Sequence, residues 1–165
     1  MFEEFIEALR LIFTFNPEIW DILGFSVQMS VISIAISAAI GIPVGIFLGV
    51  KKFRGKTFIV NLANSFMGFP PVVMGLIIFL LLSRSGPLGA LGLIYTPASI
   101  IIAQTSLSLP IIAGITISAI ANEQKKIAQT TIALGGSRWD VYENIFSECR
   151  IPILGGVIVA FGQAI

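Results

Sequence analysis

A group of polar and small residues lies inside an otherwise apolar stretch and shares one face at helical spacing. It comprises Asn61, Asn64, Ser65 and Gly68, followed directly by Pro70 and Pro71. Amide and hydroxyl groups at membrane depth usually face protein or a water-filled path. Two prolines remove backbone donors and are expected to bend the helix near its middle. The pattern predicts a gated translocation pathway, although hydrogen bonding between helices without contact to substrate explains it equally well.

The same theme recurs at Gln104 and Ser108, with a kink expected at Pro110. We assign these two polar residues to the same pathway. No predicted spanning segment contains Asp, Glu, Lys or Arg, whereas proton-coupled pumps need an ionisable relay at membrane depth. This argues against proton-driven transport and indicates that a partner supplies the energy.

Residue types that carry enzymatic or metal chemistry are scarce. The chain has no His and a single Cys, Cys149, which excludes an internal disulfide and a His/Cys metal cluster. No nucleophile–base pair stands out, and Gly135-Gly136 lacks the Lys of a phosphate-binding loop. We therefore expect no catalytic residue, no metal site and no enzymatic activity in this chain.

The elements that must position these residues follow from the distribution of charge. Hydrophobic residues make up 56% of the 165-residue chain and charged residues 12%, against about 25% charged in soluble domains. The charge-free runs are 22–50, 57–83 and 85–122. Since a spanning helix needs about 20 mainly apolar residues, we predict helices at 25–50, 57–83 and 96–120. A fourth apolar run from Ile151 to Ile165 is expected to reach only part of the way across.

Orientation follows from Lys51, Lys52, Arg54 and Lys56, which crowd the first short link. Because basic short loops stay in the cytoplasm, we predict a multi-pass protein of the cell membrane with its N-terminus outside. Segments 51–56 and 121–150 would then be inside and 84–95 outside. Residues 2–15 alternate acidic and apolar positions, as in an amphipathic helix on the outer face or a plain lead-in to the first span.

The first predicted span carries small residues at spacings of three or four, so that they share one face. They are Ser26, Ser30, Ser33, Ser37, Gly41, Gly45 and Gly49. Small faces let helices approach closely in lipid. Packing against helices of the same chain is the favoured explanation, and a homodimer seam is the alternative.

The segment 121–150 predicts two short cytoplasmic helices. One runs from about Asn122 to Leu134, Gly135-Gly136 breaks it, and a capping box from Ser137 to Asp140 opens the second. One face of the second helix is apolar and consists of Trp139, Tyr142, Ile145, Phe146 and Cys149. Such a pair can present apolar side chains to a partner's groove, or it can lie on the lipid surface.

Residues 128–139 resemble the EAA loop of ATP-binding-cassette (ABC) importer permeases. Gln129, Thr130 and Thr131 stand where the family has Glu-Ala-Ala, and Gly135 and Pro152 match its central Gly and a later Pro. The family's Leu-Pro is absent, since Ser147-Glu148 stands there. The resemblance implies that this loop couples to an ATPase. The coupling residues it implies are Gln129, Thr130, Thr131, Gly135, Gly136, Ser137, Trp139 and Tyr142.

The chain is also similar to permeases of the tungstate type. The similar segments are 68–75, 84–89, 93–97 and 160–165. The resemblance implies one importer transmembrane domain over 1–165, an all-α helical bundle, with 121–150 as its coupling segment. Such permeases continue with further helices, so the chain is expected to be C-terminally truncated.

This second resemblance also implies a function and a set of partners. The chain would carry an oxyanion, tungstate first, with molybdate, sulfate or phosphonate as alternatives. A non-transporting membrane scaffold or remnant is the alternative outside transport. The implied partners are a second permease copy, two ABC ATPase subunits that bind ATP and Mg²⁺, and an external substrate-binding protein. The chain itself would hold no cofactor.

Overall fold

The computed structural model describes residues 17–51 and 53–165, and of Arg138 only the backbone. Within those ranges every regular element is helical, which confirms the predicted all-α bundle. The helices are α1 (Pro17–Val50), α2 (Lys56–Met67), α3 (Pro71–Leu82), a short 3-10 turn (Gly89–Leu91), α4 (Pro97–Ala133) and α5 (Arg138–Ala164). The amphipathic helix predicted at residues 2–15 lies outside the described residues.

Three helices are long and apolar enough to cross a membrane: α1, α4 and the Trp139–Ala164 part of α5. The predicted second span at 57–83 is divided into α2 and α3, which meet at an angle of 102°. The break falls at the double proline, as predicted, because Pro70 takes an extended conformation (φ −61°, ψ 128°) before Pro71 opens α3. The expected bend is therefore a sharp turn, and the pair counts as a fourth span only if both halves cross together.

The predicted pair of separate cytoplasmic helices is wrong in one respect. Residues 122–133 continue the third predicted span to form the 37-residue α4, and the helix that opens after Ser137 runs through Pro152 to Ala164. The sequence favoured breaks because charges begin at Glu123, but charge does not interrupt backbone hydrogen bonding. The fourth apolar run is thus the end of a 27-residue helix, about 40 Å long, whose Trp139–Ala164 part is long and apolar enough to be a candidate span.

Close packing of α1 on α4 forms the centre of the bundle. The two helices run in the same direction, and Gly41, Gly45 and Gly49 lie against Ile112, Thr116 and Ile120 in turn. A Cβ at position 45 would be 2.5 Å from the Cβ of Thr116. The stripe of small residues therefore packs within the chain, the explanation favoured from the sequence, although Ser26 at its start is exposed.

Helix α5 returns antiparallel to the other two. Its apolar side chains complete two buried clusters, one with Ile112 and Ala160 and one with Ile120, Ile145 and Cys149. This arrangement places the turn between α4 and α5 at the same end of the bundle as Val50.

Candidate functional site

The turn between α4 and α5 projects beyond the rest of the bundle. Gln124 donates a hydrogen bond from Nε2 to the carbonyl of Val50 (3.3 Å), which marks the level at which α1 ends. Leu134 lies ten residues further along, about 15 Å at 1.5 Å per residue. We call residues 128–146, the turn with its two flanking helix ends, the hairpin tip.

Two glycines end α4 in a Schellman motif. The amide of Gly136 donates to the carbonyl of Thr131 (2.9 Å), and the amide of Gly135 donates to that of Ile132 (3.0 Å). Gly135 has a φ of +83°, a left-handed conformation that glycine adopts without the cost of a Cβ. At Gly136 a Cβ would meet Thr131 Cγ2 at 2.6 Å. Both glycines are therefore needed for the turn, for different reasons.

A capping box starts α5, as the sequence predicted. The amide of Ser137 donates to Asp140 Oδ2 (2.6 Å), and the amide of Asp140 donates to Ser137 Oγ (3.4 Å). These reciprocal bonds satisfy two amides that the helix itself leaves without partners. The turn is thus fixed on both sides, by the glycines on α4 and by the box on α5.

A hydrogen bond crosses the hairpin below the turn. Asn144 donates from Nδ2 to Thr131 Oγ1 (3.1 Å), and Thr131 is buried. Beside this pair lies a polar groove of about 350 Å³ that Lys126 and Glu148 also line. Gln129 and Thr130 remain exposed, and Thr130 bonds only to its own helix, at Lys126.

Large apolar side chains are exposed around the tip. Trp139 is 82% exposed and Leu134 83%, and the rings of Trp139 and Tyr142 meet edge to face at 6.4 Å. The apolar face predicted for α5 is divided, because its members Ile145 and Cys149 are buried in the bundle. Leu134 is a candidate that the site prediction missed, although its position just before the two glycines could have indicated it.

The second predicted site, the pathway, is not brought together as one surface. Asn61, Asn64, Ser65 and Gly68 are exposed on α2, and Pro70 and Pro71 are exposed at the break. Ser65 donates to the carbonyl of Asn61 on its own helix, whereas no hydrogen bond from either asparagine side chain reaches another described residue. Asn64 lies beside Gly114 of α4, so part of this face borders the bundle.

The other two pathway residues lie in the contact between α1 and α4. Gln104 accepts from Ser33 Oγ at 2.9 Å and donates from Nε2 to the carbonyl of Ala164 at 2.8 Å, so one side chain joins three helices. Ser108 is buried. Gln104 therefore has the hydrogen-bonding role that the sequence left open beside the pathway role.

In the part of the chain that the structure describes, no three His, Cys, Asp or Glu side chains are grouped so that they could hold a metal ion.

Residues 41–165 match the family model described as the binding-protein-dependent transport system inner membrane component. The match includes α4, the hairpin tip and α5 entirely. It therefore covers every residue assigned above to the tip and to the polar face of α2.

Individual relatives agree with this match. The chain is 36% identical over 145 residues to a probable anion ABC transporter permease protein of Haloferax volcanii, covering 88% of this chain and 62% of that one. It is 37% identical over 163 residues to a tungstate uptake system permease protein of Peptoclostridium acidaminophilum, covering 99% and 72%. A tungstate uptake permease of Campylobacter jejuni is 31% identical, covering 100% and 69%. The chain thus spans about three fifths to three quarters of these relatives.

Proposed function

The chain belongs to the family of binding-protein-dependent transport system inner membrane components, and from that premise we propose that it is the permease subunit of an ATP-driven ABC importer. Its role would be to form the pathway for an oxyanion, while a separate ATPase subunit binds and hydrolyses ATP. The chain itself would then be no enzyme and would hold no cofactor.

The observation that carries this proposal is the projecting hairpin tip. A turn held by Gly135 and by the Ser137–Asp140 box joins α4 directly to α5, so a force applied to it would pass into both helices. Exposed Trp139 and Leu134 supply apolar anchors of the kind that dominate protein interfaces. An ATPase that binds the tip and closes when it binds ATP would move both long helices together. This movement would shift the permease between inward-open and outward-open populations.

The exposed polar face of α2 supports a pathway role for Asn61, Asn64 and Ser65. An amide facing lipid would leave its hydrogen bonds unmade, which is costly, so the face is better placed against water or against a second permease copy. The sharp break at Pro70-Pro71 places this face beside a 102° bend between α2 and α3. A path without fixed charge would bind a dianion weakly, which suits release, and the high affinity would reside in the external binding protein.

For the substrate we propose tungstate, because two relatives that are 37% and 31% identical are named as tungstate uptake permeases. Molybdate, sulfate and phosphonate are the alternatives. Orientation completes the proposal: the basic link at 51–56 and the hairpin tip share one end of the bundle, which would be cytoplasmic. The N-terminus and the loop at 84–95 would then face outward, toward the binding protein.

Competition of labelled tungstate uptake tests the function and the substrate together. In cells that rely on this permease with its ATPase and binding protein, unlabelled tungstate should compete far better than sulfate, with molybdate next. Sulfate that competes as well as tungstate would reject the substrate. Uptake that persists unchanged when the permease gene is deleted would reject the transport function.

A further inference from the structure

Two adjoining cavities lie at the end of the bundle opposite the hairpin tip. The larger is an apolar groove of about 520 Å³ among α1, α3 and α4, with Phe25 and Ile100 in its walls. The smaller, about 380 Å³, is formed by the loop that follows α3. Phe79, Ile94 and Tyr95 line both cavities, so the groove and the pocket lie side by side.

The smaller pocket contains Arg84, the one charged residue between Lys56 and Glu123 in the sequence. Arg84 is exposed and forms no ion pair with any residue in the part of the chain that the structure describes. The pocket has no acidic lining residue, and Ser83 adds a hydroxyl. A guanidinium without an ion pair among the described residues, at the edge of a membrane helix, is complementary to phosphate, which arginine binds through paired N–H groups.

The loop that forms this pocket is held in place. The amide of Leu88 donates to the carbonyl of Leu81 (3.0 Å), and the amide of Gly86 donates to the carbonyl of Ser83 (2.7 Å). Together these two hydrogen bonds cap the end of α3. Tyr95, 88% exposed, has a φ of +61°, a strained conformation for a residue with a Cβ that is typical of binding sites. Tyrosine also favours the boundary between lipid tails and headgroups.

We propose that this composite site binds an anionic phospholipid of the leaflet opposite the hairpin tip. The phosphate lies at Arg84 and one acyl chain occupies the apolar groove. A free oxyanion would explain the arginine but not the adjoining apolar groove, and a zwitterionic lipid, which has no net charge, would gain less from the guanidinium of Arg84. The inference does not depend on which substrate the chain transports.

Native mass spectrometry of the detergent-purified full chain, with phosphatidylglycerol or phosphatidylcholine of identical acyl chains, tests the site. We expect one tightly retained phosphatidylglycerol, and Arg84→Gln should weaken its retention about tenfold, as when a charge-assisted bond is lost. Arg84→Lys should keep part of the preference. Arg54→Gln, an exposed arginine at the opposite end, is the matched control and should change nothing.

A second variant tests the groove without touching the charge. Gly75 lines the groove, and a Cβ at this position would have no neighbour within 4 Å. Gly75→Leu therefore adds bulk to the wall of the groove and should weaken retention of both lipids. Gly162 on α5 has the same freedom, and Gly162→Leu is its control. Equal helical circular dichroism in all variants shows that the fold is intact.

Three results would overturn the proposal. Unchanged retention in Arg84→Gln would remove the arginine from the site. Inorganic phosphate or tungstate binding at Arg84 as tightly as the lipid, with Gly75→Leu without effect, would assign the pocket to a free anion. Loss of lipid on dimer formation, with cross-linking through the groove, would assign this face to a second copy.

Discussion

Gly45 of α1 lies so close to Thr116 of α4 that a Cβ at position 45 would be 2.5 Å from the Cβ of Thr116 and 3.0 Å from the carbonyl oxygen of Ala113. Neither atom can move away by a rotamer change, because one is bonded directly to the backbone and the other belongs to it. The distance between the two helix axes is therefore set by the absence of a side chain at this position.

Gly45→Ala should destabilise the bundle by about 1–3 kcal/mol, the usual cost of overpacking. Gly24→Ala is the matched control, since a Cβ there has no neighbour within 4 Å and alanine is the better helix former. Thermal unfolding in detergent should show a lower midpoint for Gly45→Ala alone. Equal midpoints for both variants would show that α1 and α4 are not packed as described.

The packing of α1 could be predicted from the sequence because the spacing of its small residues depends only on helix geometry. Gly135 and Ser137 could be predicted for the same local reason, since caps depend on neighbours in sequence. The continuity of α4 through Glu123 could not be predicted, because membrane boundaries follow charge and helix ends do not. The division of the α5 face could not be predicted either, since only the tertiary packing of Ile120 against Ile145 and Cys149 decides it.

The break at Pro70-Pro71 offers a test of the pathway proposal. Replacing both prolines by alanine removes a helix penalty of about 3 kcal/mol per residue, which favours one straight helix in place of the 102° turn. Tungstate uptake, or its coupling to ATP hydrolysis, should fall while membrane insertion is unchanged. Pro43→Ala, within the unbroken α1, is the control. Normal coupled uptake in the double variant would make the break purely structural.

Orientation is accessible to labelling. In a background with Cys149→Ala, single cysteines Phe53→Cys and Ala90→Cys report the two ends of the bundle, and both positions are exposed. Because basic loops remain in the cytoplasm, an impermeant maleimide added to intact cells should label position 90 and leave position 53 unlabelled. Labelling at 53 but not at 90 would reverse the topology and move the hairpin tip to the outside.

Substitutions at Gly135 and Trp139 test whether the hairpin tip binds the ATPase. A β-branched residue cannot readily adopt the positive φ of Gly135, at a cost of about 1 kcal/mol or more. Truncating a buried interface aromatic commonly costs 2 kcal/mol or more. Gly135→Val and Trp139→Ala should therefore each weaken ATPase association by about tenfold or more. Gly135→Asn, which tolerates the left-handed conformation, should retain association.

Co-purification of the tagged ATPase with these variants in the assembled transporter is the most direct test of the account. Ile158→Ala, an exposed apolar position on α5 far from the tip, and Gly162→Val are the matched controls. The account predicts that the ATPase is lost with Gly135→Val and with Trp139→Ala and retained with Gly135→Asn and both controls. Retention at the unmodified level in both tip variants would contradict it and make the hairpin tip a lipid-surface element with no part in coupling.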